Sequence, residues 1–339
     1  MKAPVLEVKD LLEVRGLSVT FTTEEGKITA VDDLSFKVGR GETLVIVGES
    51  GSGKSAASLA VMGLIDAPGK VTCEAIDFID KAGRKRDLSR LREAEMQRIR
   101  GAEIAMIFQE PMTSLNPVYT VGEQIIEAIR FHEAMTRRAA SARAEEMLAL
   151  LGVPDPRRRL DAYPHQLSGG MRQRAMIGMA LACRPSLLIA DEPTTALDVT
   201  VQAQILELIR SLQRELGMAV VFITHNLGVA AEIADRIMVM YAGQAVESGP
   251  CRAIFRATHL PYTIGLMRSV PRLGLDRGGG PLPAIPGNMP DPRSLPRGCR
   301  FHPRCSFVEP GLCDMQAPPL ESCGDGHEVR CLRWRKVTA

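Results

Sequence analysis

The sequence of 339 residues is poor in aromatic residues, with one tryptophan, four tyrosines and nine phenylalanines. So few rings argue against a surface on which nucleic-acid bases stack. Charge is nearly balanced, since 42 lysines and arginines are offset by 40 aspartates and glutamates, for a formal net charge of +2. This balance does not indicate a nucleic-acid groove or a lipid-binding surface, and we interpret the basic clusters at residues 84–92 and 156–160 as solvated helix faces.

The sequence also lacks a long apolar run and an export signal. Apolar segments such as residues 187–190 and 219–224 are far shorter than the roughly 18 residues that cross a bilayer, and their length suits buried strands. The first residues show no apolar stretch followed by the small residues of a cleavage site. We therefore expect a soluble, cytosolic protein that reaches a membrane only through partners.

Strands and helices alternate along much of the predicted structure. Alternating apolar and polar residues from about residue 5 predict antiparallel strands that lead to the buried strand "ETLVIVG". Residues 66–100 are a polar stretch, residues 111–167 are mainly helical, and the later strands "LLIADE" and "AVVFIT" are separated by a helix. The pattern predicts an α/β fold with a parallel sheet covered by helices.

The chain changes character near its C-terminal end. Residues 271–298 hold seven prolines and six glycines, which predicts a linker or an extended arm. Five of the eight cysteines fall in residues 299–339, which we expect to form a small appendage. Because no export signal is evident, a clustered set of cysteines favours a metal or cofactor over disulfides.

The stretch "GESGSGKS" has the pattern of a phosphate-binding loop and stands between an apolar strand and a helix. Its glycines let backbone N–H groups surround the phosphates, Lys54 reaches the β- and γ-phosphates, and the Ser55 hydroxyl can hold Mg²⁺. A glycine turn that merely joins strand and helix is the alternative, which pattern and position together disfavour. The predicted nucleotide-binding residues are Gly48, Glu49, Ser50, Gly51, Ser52, Gly53, Lys54, Ser55 and Ala56.

Two acidic residues end the apolar strand in "LLIADEP". Asp191 at the carboxyl end of a buried strand is placed to bind the metal of a phosphoryl-transfer site. Glu192 follows at once and can orient or deprotonate a water molecule. On its own, Glu192 is as well explained as a cap of the next element.

A second glycine turn, in "LSGG", begins another helix more than a hundred residues after the phosphate loop. Unpaired N–H groups and the helix dipole favour an anion at such a helix start. Together with the phosphate loop, "LLIADEP", "ALD" and a histidine after the strand "VVFIT", this motif resembles the ATP-binding cassette family over about residues 10–250.

The resemblance implies an ABC-type P-loop NTPase core with an antiparallel β subdomain and an inserted helical subdomain at about residues 110–180. The cassette would span residues 1–250, C-terminal helices and a Pro/Gly-rich linker residues 251–298, and a small cysteine-bearing extension residues 299–339. The cofactors implied are ATP and Mg²⁺, with Ser55, Gln109 and Asp191 at the metal.

Family roles attach to single positions of this sequence. Gln109 falls at the Q-loop, which touches Mg²⁺ and water and senses the membrane partner, and His225 falls at the switch histidine that contacts the γ-phosphate. With Lys54 and Glu192, these two form the implied catalytic set. Asp198 falls at the D-loop, which crosses the interface between two cassettes.

The resemblance to the family also implies a function for the second glycine turn. Two cassettes pair head to tail, so that Ser168, Gly169 and Gly170 of one cover the ATP held by the phosphate loop of the other. The next position is Met171 where the family often has Gln, and little change is expected because the backbone and Ser168 make the main phosphate contacts. Phe21 is the best residue for stacking on adenine, and a core role is equally open to it.

Longer stretches, including "FQEPMTSLNPVYTVGEQI" and the tail "LPRGCRFHPRCSF", resemble the ATPases of dipeptide/oligopeptide (and nickel) importers over nearly the whole chain. The partners implied are two transmembrane permease subunits, an extracytoplasmic peptide-binding protein and a second ATPase, identical or not. The segment "SLNPVYTVGEQI" would meet the permeases, and the protein would lie peripherally on the cytoplasmic face of the inner membrane. The alternative is a soluble cassette ATPase that acts on nucleic acid or ribosomes, which the short inserts, the single cassette and the tail disfavour.

Four cysteines of the tail, Cys299, Cys305, Cys313 and Cys331, are separated by five, seven and seventeen residues. Four thiolates can bind Zn²⁺ or a [4Fe–4S] cluster. The absence of a C-x-x-C pair favours iron–sulfur, as does the reported presence of a cluster in members of this group. Cys323 and His302 compete for the fourth ligand position, and free cysteines in a weakly ordered tail remain an alternative.

Overall fold

The computed structural model describes residues 10–109, 114–194, 199–269 and 284–337. The chain divides into two units. The first unit comprises Met1–Leu12, Val38–Glu42 and Asp77–Phe222, and the second comprises Glu13–Lys37, Thr43–Ile76 and Ile223–Ala339.

Strands and α-helices of the described residues are numbered here in chain order. The strands are β1 (Asp10–Thr23), β2 (Gly26–Gly39), β3 (Thr43–Val47), β4 (Gly69–Thr72), β5 (Ala75–Ile79), β6 (Lys85–Asp87), β7 (Ile104–Ile107), β8 (Leu187–Asp191), β9 (Ala219–Thr224), β10 (Arg236–Tyr241), β11 (Gln244–Pro250), β12 (Glu321–Gly324) and β13 (His327–Val329). The helices are α1 (Lys54–Val61), α2 (Glu93–Ile99), α3 (Val121–His132), α4 (Arg137–Leu150), α5 (Pro156–Leu160), α6 (Gly169–Leu181), α7 (Val199–Leu216), α8 (Leu227–Ile233), α9 (Cys251–Ala257) and α10 (Pro261–Arg268).

The first unit contains a parallel strand pair and a set of helices. β7 and β8 run parallel with Ile104 opposite Leu187, and β8 lies between β7 and β9. Both strands are apolar and almost fully buried, which is typical of strands inside a parallel sheet. The sequence-based prediction of parallel α/β structure is therefore confirmed for this pair.

Capping side chains start the helices of the predicted helical stretch. The Thr120 hydroxyl accepts the N–H of Glu123, and the Glu123 carboxylate accepts the N–H of Thr120, so α3 begins with a capping box. Ile125 and Ile129 form the buried face of α3. At Gly122, an added Cβ would lie 2.7 Å from the carbonyl oxygen of Leu160, so the glycine allows the close approach of α3 to the end of α5.

The second unit contains a sheet in the order β12–β13–β11–β10–β3. β3 is buried at all five residues and pairs in parallel with β10. β10 and β11 form an antiparallel hairpin, and β13 then pairs antiparallel with β11, with Glu247 opposite Val329. The C-terminal hairpin thus continues this sheet, so strand pairing joins the small appendage expected at residues 299–339 to the rest of the second unit.

The antiparallel strands near the N-terminal end include a pair that the sequence pattern did not resolve. β1 pairs antiparallel with β4, with Phe21 opposite Gly69. β4, β5, β6 and α2 all fall within residues 66–100, which the pattern marked only as a polar stretch. Part of the Pro/Gly-rich stretch, residues 270–283, lies outside the described residues.

Candidate functional site

The loop that follows β3 has two positions that only glycine can occupy. A Cβ on Gly48 would lie 2.3 Å from the carbonyl oxygen of Met240, and one on Gly53 would lie 2.2 Å from the carbonyl oxygen of Ala30. Gly53 also has a φ of 101°, in the left-handed region that favours glycine. Gly51 has a positive φ as well, but an added Cβ there would meet nothing within 4 Å. The loop backbone therefore packs directly against neighbouring backbone.

Helix α1 begins at Lys54, directly after this loop. Its N-cap is Gly53, so no side chain caps the first N–H groups of the helix. Lys54 is buried, and its Nζ donates to the carbonyl oxygens of Gly48 and Glu49, each at 2.9 Å. The helix start and the ammonium group together supply the N–H donors and positive charge that bind phosphate.

Ser52 anchors the middle of the loop. It is fully buried, its N–H donates to the carbonyl oxygen of Glu49 at 3.2 Å, and its own carbonyl accepts the N–H of Gly243 at 2.9 Å. Ser50, at the tip, is exposed, while Ser55 and Ala56 on the first turn of α1 are half-buried. The predicted nucleotide-binding residues 48–56 thus form one continuous loop and helix start.

An arginine of the C-terminal extension holds this loop through Glu49. Arg304 donates from Nη1 to Glu49 Oε2 at 2.8 Å and from Nη2 to Glu49 Oε1 at 3.1 Å. The Arg304 side chain is only 7% exposed. Burial lowers the pKa of Arg304, but the hydrogen bonds to Glu49 and Tyr241 outweigh it and raise the pKa, so the guanidinium stays charged. Such a two-bond pair fixes both distance and orientation.

A second contact fixes the backbone of the same residue. The N–H of Glu49 donates to the hydroxyl of Tyr262 at 2.9 Å. The rings of Tyr241, Tyr262 and Phe301 pack against one another with centroids 4.7–5.3 Å apart. Sequence analysis missed Arg304 and Tyr262, because they lie more than 200 residues from the loop that they contact.

The two predicted acidic residues end β8 in the first unit. Asp191 is the last residue of the strand and is buried. Glu192 is half-buried and has a φ of 47°, an uncommon conformation for a residue with a side chain. Backbone strain of this kind concentrates at functional sites.

Gln109 and His225 also lie just after the ends of strands. Gln109 is exposed and follows β7 after one intervening residue in the first unit. His225 is exposed and joins β9 to α8 in the second unit, where Asn226 caps α8 by accepting the N–H of Gly228 at 2.9 Å. Both side chains are therefore open to solvent at the carboxyl ends of strands. Asp198 lies outside the described residues.

The second glycine motif lies at the start of α6 in the first unit. Ser168 is the N-cap, and its hydroxyl accepts the N–H of Met171 at 3.3 Å. Ser168 and Gly169 are exposed, and a Cβ on Gly169 or Gly170 would meet nothing within 4 Å. This helix start faces open space, unlike the closely packed start of α1.

Phe21 is half-buried at the end of β1. Its ring lies against Gly69, where an added Cβ would come within 2.8 Å of Phe21 Cε1. The ring is thus partly covered by its own sheet, with the remainder accessible.

The four predicted cysteine ligands line one cavity in the second unit, together with His302. Cys323 does not line this cavity, so the structure brings Cys331, not Cys323, together with the other three cysteines. Among the described residues, the only group of ligand atoms within 4.8 Å of one another is that of His259, Cys323 and His327. The four cavity thiols are thus spread more widely than the sulfur atoms around a single zinc ion, which lie about 3.8 Å apart.

Backbone N–H groups point at the sulfur atoms of this cavity. Phe307 donates to Cys305 Sγ at 3.4 Å, and Glu309 donates to Cys313 Sγ at 3.5 Å. The pKa of Cys331 is raised to about 11. Burial is the main cause and the neighbouring thiols add to it, while a backbone hydrogen bond from Arg333 acts in the opposite direction. Hydrogen bonds to sulfur are typical of iron–sulfur sites.

Basic side chains complete the wall of the same cavity, which includes Arg300, Arg330 and Arg333. Arg330 donates to the carbonyl oxygens of Ala245 and Pro318, and burial lowers its pKa. Arg300 pairs with Asp32 and Arg333 with Glu309, so it is the charge of Arg330 at this wall that suits an anionic group bound by thiolates. The cavity thus combines four thiols, N–H groups directed at two of them and basic side chains in its wall.

Two protein families match separate parts of the chain. The family described as "ABC transporter" matches residues 31–195, and the family described as "Oligopeptide/dipeptide transporter, C-terminal region" matches residues 246–313. The second match includes Cys299, Cys305 and Cys313. Among the residues described, no helix has both the length and the apolar character needed to span a bilayer.

Relatives match along nearly the whole chain. A putative peptide import ATP-binding protein of Brucella melitensis is 53% identical over 97% of this chain and 98% of its own. A dipeptide transport ATP-binding protein of Escherichia coli K12 is 52% identical over 95% of this chain and 96% of its own. Among solved structures, a dimeric ATP-binding cassette in a post-hydrolysis state bound to ADP and Pi is 30% identical, with a TM-score of 0.61 over 71% of this chain and 99% of that one.

We expect the glycines of the loop to differ sharply in their tolerance of alanine. Gly48→Ala and Gly53→Ala should each weaken ATP binding by more than about tenfold, because the added Cβ would force the backbone away from a carbonyl oxygen. Gly51→Ala is the matched control, with positive φ but no clash, and should retain most of the affinity. Calorimetric titration with ATP measures all three, and equal losses would contradict the packing argument.

We expect the contact of Arg304 with the loop to increase the affinity for ATP. Arg304→Gln leaves the Glu49 carboxylate without its charged partner, at a cost of about 1–3 kcal/mol, so we expect ATP affinity to fall by about tenfold. Glu49→Gln combined with Arg304→Gln should be little worse than either change alone, because both remove one interaction. Arg293→Gln, in an exposed pair with Asp291, is the control; unchanged affinity in Arg304→Gln would rule out the positioning role.

Proposed function

The chain belongs to the ATP-binding proteins of peptide-importing ABC transporters, which hydrolyse ATP to drive transport, and from that premise we propose which residues perform each step. Full-length similarity to peptide import proteins, together with an intact phosphate loop, carries this proposal. The substrates proposed are dipeptides and oligopeptides, as the names of the relatives suggest. Which peptide is carried would be set by the permeases and by an extracytoplasmic binding protein.

We propose that residues 48–56 bind the phosphates of ATP. Backbone N–H groups of the loop and of the start of α1 would surround the phosphates, and Lys54 would turn from its carbonyl partners to the β- and γ-phosphates. Ser55, Gln109 and Asp191 would hold Mg²⁺, which neutralises charge on the phosphates. Phe21 would contribute the part of its ring left open by Gly69 to adenine stacking.

We propose Glu192 as the residue that orients and deprotonates the attacking water. A carboxylate directly after a metal-binding aspartate is placed for this role, and the strained φ of Glu192 is consistent with a functional position. His225, exposed after β9, would contact the γ-phosphate. In this scheme Lys54, Gln109, Glu192 and His225 form the catalytic set.

We propose that the site is completed by a second cassette, identical or not. Ser168, Gly169, Gly170 and Met171 would bind the γ-phosphate held by the partner's loop, and Asp198 would lie at the same interface. The exposed start of α6, with open space around both glycines, supports this role. The similar solved cassette is a dimer, which is consistent with it.

Permease subunits are implied for a peptide importer, and we propose that residues 114–125 contact them. Val118 and Tyr119 are 71% and 53% exposed, although both are apolar or aromatic. Gln124 holds the backbone that presents them, donating to the carbonyl oxygens of Asn116 and Tyr119 at 3.0 and 3.1 Å. An exposed apolar surface on a fixed loop is suited to a protein partner. Two such permeases would place this subunit peripherally at the cytoplasmic face of the cell membrane.

We propose that Cys299, Cys305, Cys313 and Cys331 hold a [4Fe–4S] cluster. Their shared cavity, the N–H groups directed at sulfur and the arginines in the wall support a cluster over a single zinc ion. A cluster would add cohesion to a segment that has little apolar core of its own. Arg304 lies next to Cys305, so a cluster would also steady the contact with Glu49.

The proposed base is tested by Glu192→Gln. This variant should bind ATP, hydrolyse it at least about 100-fold more slowly, and accumulate as a closed dimer, because water activation is lost while the binding loop is intact. ATPase assays and light scattering with ATP measure both effects. Glu207→Gln, which changes an exposed side chain of α7, should behave as the wild type. Normal turnover in Glu192→Gln would remove Glu192 from the mechanism.

The proposed cluster is tested by metal analysis of anaerobically purified protein. The wild type should be brown and contain iron and sulfide in equal amounts, about four of each per chain. Cys305→Ser should lose most of both, whereas Cys73→Ser, a half-buried cysteine far along the chain, should keep them. A colourless protein with zinc bound by the four cysteines would contradict the cluster.

A further inference from the structure

A second group of metal-ligating side chains lies outside the four-cysteine cavity. We propose that His259, Cys323 and His327 bind one zinc ion. One ligand atom from each residue lies within 4.8 Å of the other two. His259 precedes α10, Cys323 lies in β12 and His327 begins β13.

The C-terminal hairpin brings two of these ligands together. Gly324 is paired with His327, and the intervening Asp325 and Gly326 have φ of 50° and 71°. Positive φ at both central residues is typical of a type I′ turn, which joins strands tightly. Cys323 and His327 are therefore held on either side of one short turn, and their proximity does not depend on a distant segment.

The third ligand is held by its own neighbours. The N–H of His259 donates to Glu247 Oε1 at 3.0 Å. The His259 ring packs edge-on against Trp334, with centroids 5.4 Å apart, and Trp334 in turn donates from Nε1 to Glu321 at 3.0 Å. The imidazole is thus supported at its position beside the hairpin.

A buried carboxylate beside this group requires positive charge. Glu247 is fully buried, and it accepts hydrogen bonds from the Thr258 hydroxyl at 2.8 and 3.0 Å and from the N–H of His259. Its contact with a basic side chain is His327 Nε2 at 2.9 Å, and no lysine or arginine of the described residues forms an ion pair with it. Buried carboxylates are stable when paired or near a metal. A zinc ion, one thiolate and the Glu247 carboxylate sum to zero charge with both histidines neutral.

Glu247 also prepares His327 as a ligand. Because Nε2 of His327 is bonded to the carboxylate, Nδ1 is the nitrogen left for a metal. A carboxylate on the far side of a metal-binding histidine fixes the ring and raises its basicity. Gly249 leaves room for this ring, since a Cβ there would lie 3.2 Å from His327 Cγ and Cδ2.

The chemistry of the donors selects zinc. Two imidazoles and a thiolate suit Zn²⁺, which prefers nitrogen and sulfur in a tetrahedral arrangement. No fourth cysteine, histidine, aspartate or glutamate of the described residues lies close enough to join the three, so water would take the fourth position. The ion would tie the hairpin β12–β13 to the segment before α10. This inference does not depend on the proposed roles in ATP hydrolysis.

The test is zinc and iron analysis of the full-length chain, purified anaerobically, incubated with ZnSO₄ and freed of excess by gel filtration. The wild type should retain about one zinc per chain in addition to its iron. His259→Gln and Cys323→Ser should retain almost no zinc while their iron is unchanged, which also shows that the extension is folded. Cys73→Ser and His165→Gln, changes of the same type elsewhere in the chain, should retain zinc like the wild type.

X-ray absorption at the zinc edge supplies a second readout. We expect one sulfur neighbour together with nitrogen and oxygen neighbours. Removal of zinc with a chelator should speed amide exchange in residues 321–329 by at least about tenfold, with no change in α1. Zinc surrounded by four sulfurs, zinc retained by Cys323→Ser, or a wild type that holds no zinc would each overturn the proposal.

Discussion

The position of the phosphate loop in the second unit depends on its close approach to the backbone of neighbouring strands. Gly48 and Gly53 bring the loop against carbonyl oxygens of β10 and β2, at distances that no side chain permits. Ser52 adds a backbone hydrogen bond to the turn between β10 and β11. A loop fixed on these sides can aim its N–H groups at a phosphate without reorganisation when the ligand arrives. Glu49 adds two further contacts, one with Tyr262 of α10 and one with Arg304 of the C-terminal extension.

Among the described residues, two ion pairs and one histidine–carboxylate contact join the extension to the rest of the second unit, and in each the carboxylate belongs to the cassette and the nitrogen group to the extension. Arg304 pairs with Glu49, Arg300 with Asp32, and His327 with Glu247. Largely buried ion pairs add little net stability, because desolvation offsets their attraction, but breaking one is costly. Such pairs are better at fixing position than at adding stability. The extension is therefore held in one register on the cassette, next to the phosphate loop.

Local patterns in the sequence predicted the local parts of the structure. The phosphate loop, the buried strands β3, β8 and β9 and the starts of α1 and α6 follow from motifs and periodicity within a few residues. The stretch 66–100 was not resolved, because polar residues build it. There Asp80 is buried, which opposes its ionisation, yet hydrogen bonds from Arg84 and Arg86 lower its pKa to about 2. A pattern that looks for apolar faces does not detect a turn organised around a buried carboxylate.

Contacts between distant segments could not be predicted from the sequence for a different reason. Glu49 and Arg304 are separated by 255 positions, and nothing in either motif specifies the other. Likewise, the spacing of the cysteines did not decide between Cys323 and Cys331 as the fourth ligand. The structure separates them, since the hairpin β12–β13 places Cys323 beside His327 while Cys331, after β13, lines the cavity with the other cysteines.

The two glycine-rich helix starts differ physically in a way that fits their proposed tasks. The start of α1 has no side-chain cap and is packed on several sides, so its N–H groups are preserved for a ligand held by this chain. The start of α6 is capped by Ser168, which satisfies an N–H group while the site is open to solvent. An exposed helix start needs such a cap to be stable alone, and its glycines leave space for an approaching surface. A rigid loop and an open, self-capped helix start are what the proposed division of the reaction site between two cassettes requires.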